Sequence, residues 1–537
     1  LPDTNGYLEV IDGVTAITEA GRACLAPYVT NTTDDVYVFT GAMPSSTVAA
    51  AMARLSRRPG DMRVTLLDEF LAQGRRDEEL LERVISEYGD DSVQQLVSID
   101  FVAEGISNLL TKRLEWARFG AYLEQSTRYI PFDQRDAQGN FSYVIPEELE
   151  GDLRAEYVRT MDAIFTTYSL LIETVKDHVL ATTSPSDNSR GNVAAWKRAA
   201  RATALDAVRA LLPTATRSTV GVHMSAQSLE NLLYVLRADE LTESQVIAAK
   251  LLHEARKVIP AFLQRVDMPS KGNMRLMYRV ETRNDLRNIA ERLTSGSADD
   301  GEAIRLVDYW PSDEGELLAR TLFAHSSLSL EEIQRQLAEW PNADREEIWS
   351  AAIGVRYDRR DRPGRAFEMP HYEFVVVGDY GTFRDLQRHR VVDALEWQLL
   401  TPEHGYAIPK LVTDAGCEGD YRRCFEQAEE LYDTVSREVS PSLAQYTTLL
   451  GHRMRYHLIL NARASYHLLE LRTGPAGHPG YRAICQEMFR QIEAVHPHIA
   501  RGMKHVNLDP PSGLGRLAAE ESSERKLAAL DARVTQD

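Results

Sequence analysis

Arg388-His389-Arg390, then seven residues, then Gln398; Trp116-Ala117-Arg118, then seven residues, then Ser126-Thr127-Arg128-Tyr129. One pattern stands in both halves of the chain, and its surroundings repeat with it. Ahead of the second triplet, Tyr372-Glu373-Phe374-Val375-Val376-Val377 alternates and is β-branched, which predicts a strand. Beyond it, Tyr456 to Arg472 carries Leu458, Leu460, Leu468, Leu469 and Leu471 without Gly or Pro, which predicts a mostly buried helix. Further out, the β-type run Val36-Tyr37-Val38-Phe39, then Pro44, Ser45 and a helical Thr47 to Leu55, returns as Ile304 to Tyr309, Pro311 and a helical Leu317 to Leu322. Linker composition at Pro269 to Asn273 and from Ser295 to Gly301 places the boundary between the copies. The expected organisation is an extension 1–30, a first domain 31–270, a linker 271–299 and a second domain 300–537.

The 537 residues exceed what one core usually holds, and 43% hydrophobic with 26% charged residues are ordinary globular values. A formal charge of −19 argues against a broad nucleic-acid or acidic-membrane surface, yet arginines gathered locally can still grip one phosphate. Cys24, Cys417, Cys424 and Cys485 are too sparse for a disulfide framework and lack zinc spacing. His452 and His457 have no carboxylate partner at metal-binding spacing, so no metal is expected. No apolar run approaches the roughly 18 residues of a membrane span, and Leu1-Pro2-Asp3-Thr4 does not begin a secretory signal, so the expected location is cytoplasmic. There is no Gly-x-Gly-x-x-Gly after a strand to support a Rossmann site.

The Arg-His-Arg triplet of the second copy and the Glu124-Gln125-Ser126-Thr127-Arg128-Tyr129 run of the first together resemble the signature of flavin-dependent thymidylate synthases. Asn461-Ala462-Arg463, then His467 and Arg472, is similar to that family's Asn-Ala-Arg helix, and Arg365-Ala366-Phe367-Glu368 sits where the family has Ser/Thr-Pro-Phe-Glu. In the first copy, Arg209 to Pro213 resembles the phosphate element, and Ser228 to Leu233 the flank of the Asn-Ala-Arg helix. Taken singly, Arg-His-Arg reads as a solvated basic face, Ser-Thr-Arg as a cap or turn, and His467 as a hydrogen-bonded core histidine. The joint spacing in two copies is what shifts the balance.

The copies depart from the pattern in complementary ways. The first keeps Glu124, Ser126, Arg128 and Arg209 but has Trp116-Ala117 for Arg-His and Ser225-Ala226-Gln227 for Asn-Ala-Arg. The second keeps Arg388, His389, Arg390, Asn461, Arg463 and Arg472 but has Gln398, Leu400 and Gln445 at the nucleotide positions. Asp385 replaces a pyrimidine-holding glutamine, and Gly89-Asp90-Asp91-Ser92 stands for Gly-His-x-Ser. The resemblance implies an α/β fold of the α+β type, a mixed sheet with long helices in each of two tandem domains, and one composite site fed by both.

It also implies bound FAD, with NADPH and methylene-tetrahydrofolate as co-substrates, and C5-methylation of deoxyuridylate. Arg472, Arg388 and Glu124 are the implied catalytic residues, and Ser126, Arg128, Arg209, Arg388 and Arg472 the substrate ligands. Arg388, His389, Arg390, Glu396, Asn461, Arg463, His467 and Ser92 are the implied flavin ligands. The family's tetramer implies a homodimer here, a pseudo-tetramer. Two other readings stay open: a paralogue modifying a different pyrimidine nucleotide or nucleoside, motivated by Asp385, and a non-catalytic flavin- or nucleotide-binding protein.

Overall fold

Two nine-residue strands, Arg217–Ser225 and Arg453–Asn461, each run straight into a helix, Ala226–Arg237 and Ala462–Arg472. Each helix is capped by the strand's last side chain: Ser225 accepts from Ser228 N at 3.2 Å, and Asn461 from Ala464 N at 2.8 Å. The computed structural model describes residues 6–56, 58–71, 91–185, 193–294 and 303–510. Leu1-Pro2-Asp3-Thr4, Gly89, Asp90 and the segment from Ser295 to Gly301 lie outside the described residues.

Asn461 also marks a departure from the expected long helix at Tyr456 to Arg472. Met454, Tyr456, Leu458 and Leu460 alternate with half-buried residues, the period of a strand, and the helix begins only past the cap. Val36 to Phe39 forms no strand beyond a single bridge between Val29 and Phe39; Val36 and Val38 are exposed, so nothing buries one face of the run. The strand expected at Tyr372 to Val377 runs His371–Asp379, and the helix expected at Leu317 to Leu322 runs Glu316–Phe323. Residues Gly272–Leu293 form a helix of 22 residues.

Chain contacts divide the protein into two compact units. The first comprises Leu1–Glu104, Arg113–Glu124 and Thr219–Gly296. It carries a three-stranded sheet in the order Ser98–Ser107, Arg217–Ser225, Gly120–Glu124, and a hairpin, Leu8–Ile11 with Val14–Ile17. Asp12 and Gly13, with φ of 51° and 83°, turn that hairpin in the left-handed conformation its twist requires.

The second unit comprises Gly105–Lys112, Gln125–Ser218 and Ser297–Asp537. Its sheet has the order Ile304–Trp310, His371–Asp379, Arg453–Asn461, Ala394–Trp397. Its last three strands repeat the connectivity of the three-stranded sheet. Every pairing in it is antiparallel, a correction to the mixed sheet expected, because each neighbouring strand returns from the opposite end of the sheet.

The helix Gly151–Thr182 buries Tyr157, Met161, Ile164, Phe165, Tyr168, Leu171, Ile172, Val175 and Val179 along one stripe against Val193–Val208 and Glu418–Glu438. Each such side chain contributes about 1.5–3 kcal/mol of transfer free energy. The helix ends at extended Thr183, two residues before Pro185.

Within the second unit the two copies meet through equivalent residues. Thr214 N donates to Thr448 O at 2.8 Å and Leu450 N to Leu212 O at 2.8 Å, on either side of the bridge between Pro213 and Leu449. The 3-10 turns Arg209–Leu211 and Gln445–Thr447 precede these residues. Asn108 N to Thr216 O (2.9 Å) and Leu109 N to Thr214 O (3.1 Å) recur as Tyr380 N to His452 O (3.0 Å) and Gly381 N to Leu450 O (2.8 Å). The same local bonds are therefore made twice, about a local two-fold at Pro213 and Leu449. That two-fold turns Arg209, from the first half of the chain, toward the helix Tyr380–Leu386 that leads into Arg388-His389-Arg390.

Candidate functional site

Four arginines from both halves of the chain converge in the second unit on Asp385, at the end of the helix Tyr380–Leu386. Arg209 reaches the Asp385 carboxylate at 3.4 Å and donates to Gly381 O at 3.3 Å. Arg388, one turn on, stands 3.9 Å from the other carboxylate oxygen. Burial alone would raise the Asp385 carboxyl, but Arg209, then Arg388, Arg472 and Arg128, override it and hold it at about 2. An ionised, acceptor-only group thus sits among guanidiniums.

Arg128 is held more tightly. Its Nε and Nη2 donate to the two oxygens of Asp206 at 2.8 and 2.6 Å, and Nη1 donates to Tyr481 Oη at 3.3 Å. The Tyr481 ring lies 5.3 Å from the Arg472 guanidinium, so one aromatic side chain links an arginine of each half. Arg472 Nε donates to His389 Nε2 at 2.8 Å, and the His389 and His467 rings are 5.2 Å apart. Burial, then Arg472 and His467, keep the His389 imidazole well below its ordinary range, as its acceptor role requires. Ser126 Oγ accepts the Arg128 backbone N–H at 3.2 Å, which shapes the loop carrying that arginine.

A second group forms one turn away along Ala462–Arg472. Arg463 Nε donates to Pro363 O at 2.9 Å and Nη1 lies 3.5 Å from Glu368, which ties this helix to the Arg365-Ala366-Phe367-Glu368 turn. His467 is half-buried, and burial, then Arg362, Arg359 and Arg472, lower its pKa. Arg359 and Arg362 form no ion pair among the described residues. This surplus of cations beside an imidazole suits the pyrophosphate of a dinucleotide cofactor.

Glu396 is exposed on the edge strand Ala394–Trp397, and Arg390 is half-buried. Glu124 is buried at the end of Gly120–Glu124 in the first unit, and Ser92 belongs to the helix Asp91–Leu96 there. A cavity of about 500 Å³ in the second unit adjoins the arginines; Asp206, Arg209, Asp379, Gly381, Arg453 and His478 are on its wall.

A sequence profile of the family described as Thymidylate synthase complementing protein (Thy1) matches residues 40–261 and 305–498. The chain belongs to the Thy1 family. It is 31% identical over 522 residues to a UPF0159 protein of Chlamydia pneumoniae, covering 94% of this chain and 97% of that protein. A UPF0159 protein of Thermoplasma acidophilum is 28% identical over 501 residues, 88% of this chain and 97% of the relative. The flavin-dependent thymidylate synthase of Clostridium tetani is 28% identical over 182 residues, 33% of this chain and 66% of that enzyme. The solved structure of the UMP/dUMP methylase PolB from Streptomyces cacaoi, bound with 5-Br dUMP, aligns with 38% of this chain and 94% of its own at 19% identity and a TM-score of 0.30.

In this Thy1 member, Asp206, Tyr481, Arg359 and Arg362 escape sequence reasoning. Asp206 is 78 residues from Arg128, and no spacing rule links a helix residue to a loop arginine so far away. His478, whose Nδ1 accepts Gly480 N at 3.1 Å, caps the helix Pro479–Val495; burial, then Arg209, drive its pKa down to about 3.

The depressed histidines predict a pH dependence. Burial lowers His389, His452, His478 and His496, so below about pH 6.5 the unfolded chain takes up protons that the folded chain refuses. Their contribution is complete above that pH and is lost as pH falls toward 3. The urea midpoint at pH 5.0 should lie below that at pH 7.5, and equal midpoints would refute it.

Proposed function

We propose that the second unit binds a pyrimidine nucleotide and FAD together and methylates deoxyuridylate at C5, with methylene-tetrahydrofolate as carbon donor and NADPH as reductant. The observation that carries this reading is the convergence of Arg128 and Arg209 with Arg388 and Arg472 around one buried carboxylate. Four guanidiniums outnumber Asp206 and Asp385, His389 and His478 stay neutral, and burial raises Asp379 above the usual range. The surplus is positive and suits a phosphate monoester.

Arg209 and Arg128, with Ser126, hold the phosphate; Arg388 bridges nucleotide and flavin. Arg472, its Nε fixed by His389, directs its remaining donors at a pyrimidine carbonyl, where they stabilise anionic charge developing on the ring. Arg463, His467 and Arg390 would hold the flavin, which when bound would supply reducing equivalents for the transferred carbon. The chain assembles as a homodimer. Residues 31–270 and 300–537 are read as the two copies. Asp385 favours one second reading, a paralogue acting on another pyrimidine, because an ionised carboxylate cannot donate to a carbonyl as an amide does.

The test is to incubate flavin-loaded protein with deoxyuridylate, methylene-tetrahydrofolate and NADPH and look for thymidylate by mass. Unchanged deoxyuridylate in the presence of all three would reject the reaction. The purified chain should also show flavin absorbance after reconstitution with FAD, and His389→Ala should lower that flavin content. A protein that stays colourless would remove the flavin assignment.

A further inference from the structure

Arg128 is the arginine least free to take a ligand. Of its five N–H donors, Nε and one on Nη2 go to Asp206, one on Nη1 goes to Tyr481 Oη at 3.3 Å, and the second on Nη2 points to Ala476 O at 3.4 Å. One donor remains, and a bidentate grip on phosphate needs two in one fork. The pair is also secluded, with side-chain exposures of 14% for Arg128 and 8% for Asp206. Arg209 contrasts with it: its contacts to Asp385 are 3.4 and 3.5 Å, too long to saturate the guanidinium.

We propose that Asp206 is a specificity-determining residue that competes with the ligand's phosphate for Arg128, so that a nucleotide monophosphate binds fully only by displacing this carboxylate. The inference rests on the nucleotide reading above. The phosphate first meets Arg209, whose contacts to Asp385 are long, and then exchanges with Asp206 on Arg128. Asp206 sits on the wall of the 500 Å³ cavity, which gives the released carboxylate room. Arg453 lines the same cavity and adds a positive charge to its wall, while Lys410 is paired with Asp414.

Exchange makes the observed affinity the intrinsic affinity multiplied by the fraction of molecules with the Arg128 fork open. A nucleoside without phosphate gains nothing from opening the pair. The site therefore discriminates phosphorylated from unphosphorylated pyrimidines by less than its arginine count suggests, and Asp206 sets the margin.

The test is calorimetric titration of the full chain, wild type and Asp206→Asn, with deoxyuridylate and with deoxyuridine. The amide keeps the shape of the side chain and removes the competing charge. Deoxyuridylate affinity should rise at least tenfold, with deoxyuridine unchanged. An unchanged or weaker affinity for deoxyuridylate, or an equal gain for deoxyuridine, overturns the proposal. A second measurement needs no variant: in a crystal structure of wild-type protein with deoxyuridylate, Asp206 should have left Arg128, and a retained bidentate pair overturns it. If wild type and variant bind neither deoxyuridylate nor inorganic phosphate, the nucleotide reading fails and the proposal falls with it. Binding by wild type without a gain in the variant sinks the proposal alone.

Discussion

Arg209→Ala is expected to lower nucleotide affinity roughly ten- to a hundredfold, the equivalent of the ~1.5–3 kcal/mol of a charge-assisted hydrogen bond. Arg209 is 4% exposed and is the first cation acting on Asp385, so its loss removes a phosphate donor and leaves a buried carboxylate less compensated. The Asp385 carboxyl should then rise from about 2, because burial is no longer fully opposed. Flavin content should change little, since Arg209 touches Gly381 and Asp385 and not the Arg463 and His467 side. Arg209→Lys should recover only part of the affinity, because an ammonium lacks the planar fork.

The controls are the positions equivalent to the nucleotide arginines in the second copy. Leu400 is 3% exposed, and Gln445 accepts from Leu400 N at 3.1 Å and donates to Ser442 O at 2.9 Å. Both are occupied by internal packing. Leu400→Ala and Gln445→Ala should leave nucleotide affinity nearly unchanged, as read by calorimetry. A loss at Leu400→Ala as complete as that at Arg209→Ala would defeat the two-halves-one-site reading.

How much of this was visible in the sequence depended on whether the signal was local. The strand His371–Asp379 was legible because its alternation is complete within nine residues. The repeat was legible because both triplets kept their spacing, and its structural counterpart is the pair of sheets with matching strand order. The strand-to-helix switch at Asn461 was not. Leucines spaced for a strand at 458 and 460 run into leucines spaced for a helix at 468, 469 and 471, and only the cap separates them.

Long-range partners were invisible for a different reason. Asp206 and Tyr481 are ordinary residues of two helices, and they matter only because folding brings Arg128 and Arg472 to them. The identities of the arginines were readable; their internal counter-ions were not. That difference decides mechanism, because a paired arginine and a free one have the same letter and unequal capacity for a ligand.

The largest stability effect is expected at Glu470, which no motif marked. Glu470 sits on the helix Ala462–Arg472 and binds Arg356 through two hydrogen bonds of 2.5 and 2.6 Å, with side-chain exposures of 1% and 2%. Arg356 also donates to Gly502 O at 2.7 Å and to Asp361 O at 2.5 Å, and its guanidinium lies 4.9 Å from the Tyr466 ring. Glu470→Ala leaves that guanidinium buried without a counter-ion, which costs about 3–5 kcal/mol. The melting temperature should drop by several degrees.

Replacing both partners, Arg356→Met with Glu470→Leu, should cost less than Glu470→Ala alone, because the buried charge then disappears with its partner. Glu470 lies two residues from Arg472, one turn from His467 and two turns from Arg463, so loosening this latch moves the side chains assigned to flavin and pyrimidine alike. Flavin content and nucleotide affinity should therefore fall together in Glu470→Ala, whereas Arg209→Ala separates them. A Glu470→Ala protein that melts with the wild type, or that loses nucleotide while keeping its full flavin, would show that the latch does not set the geometry of this helix.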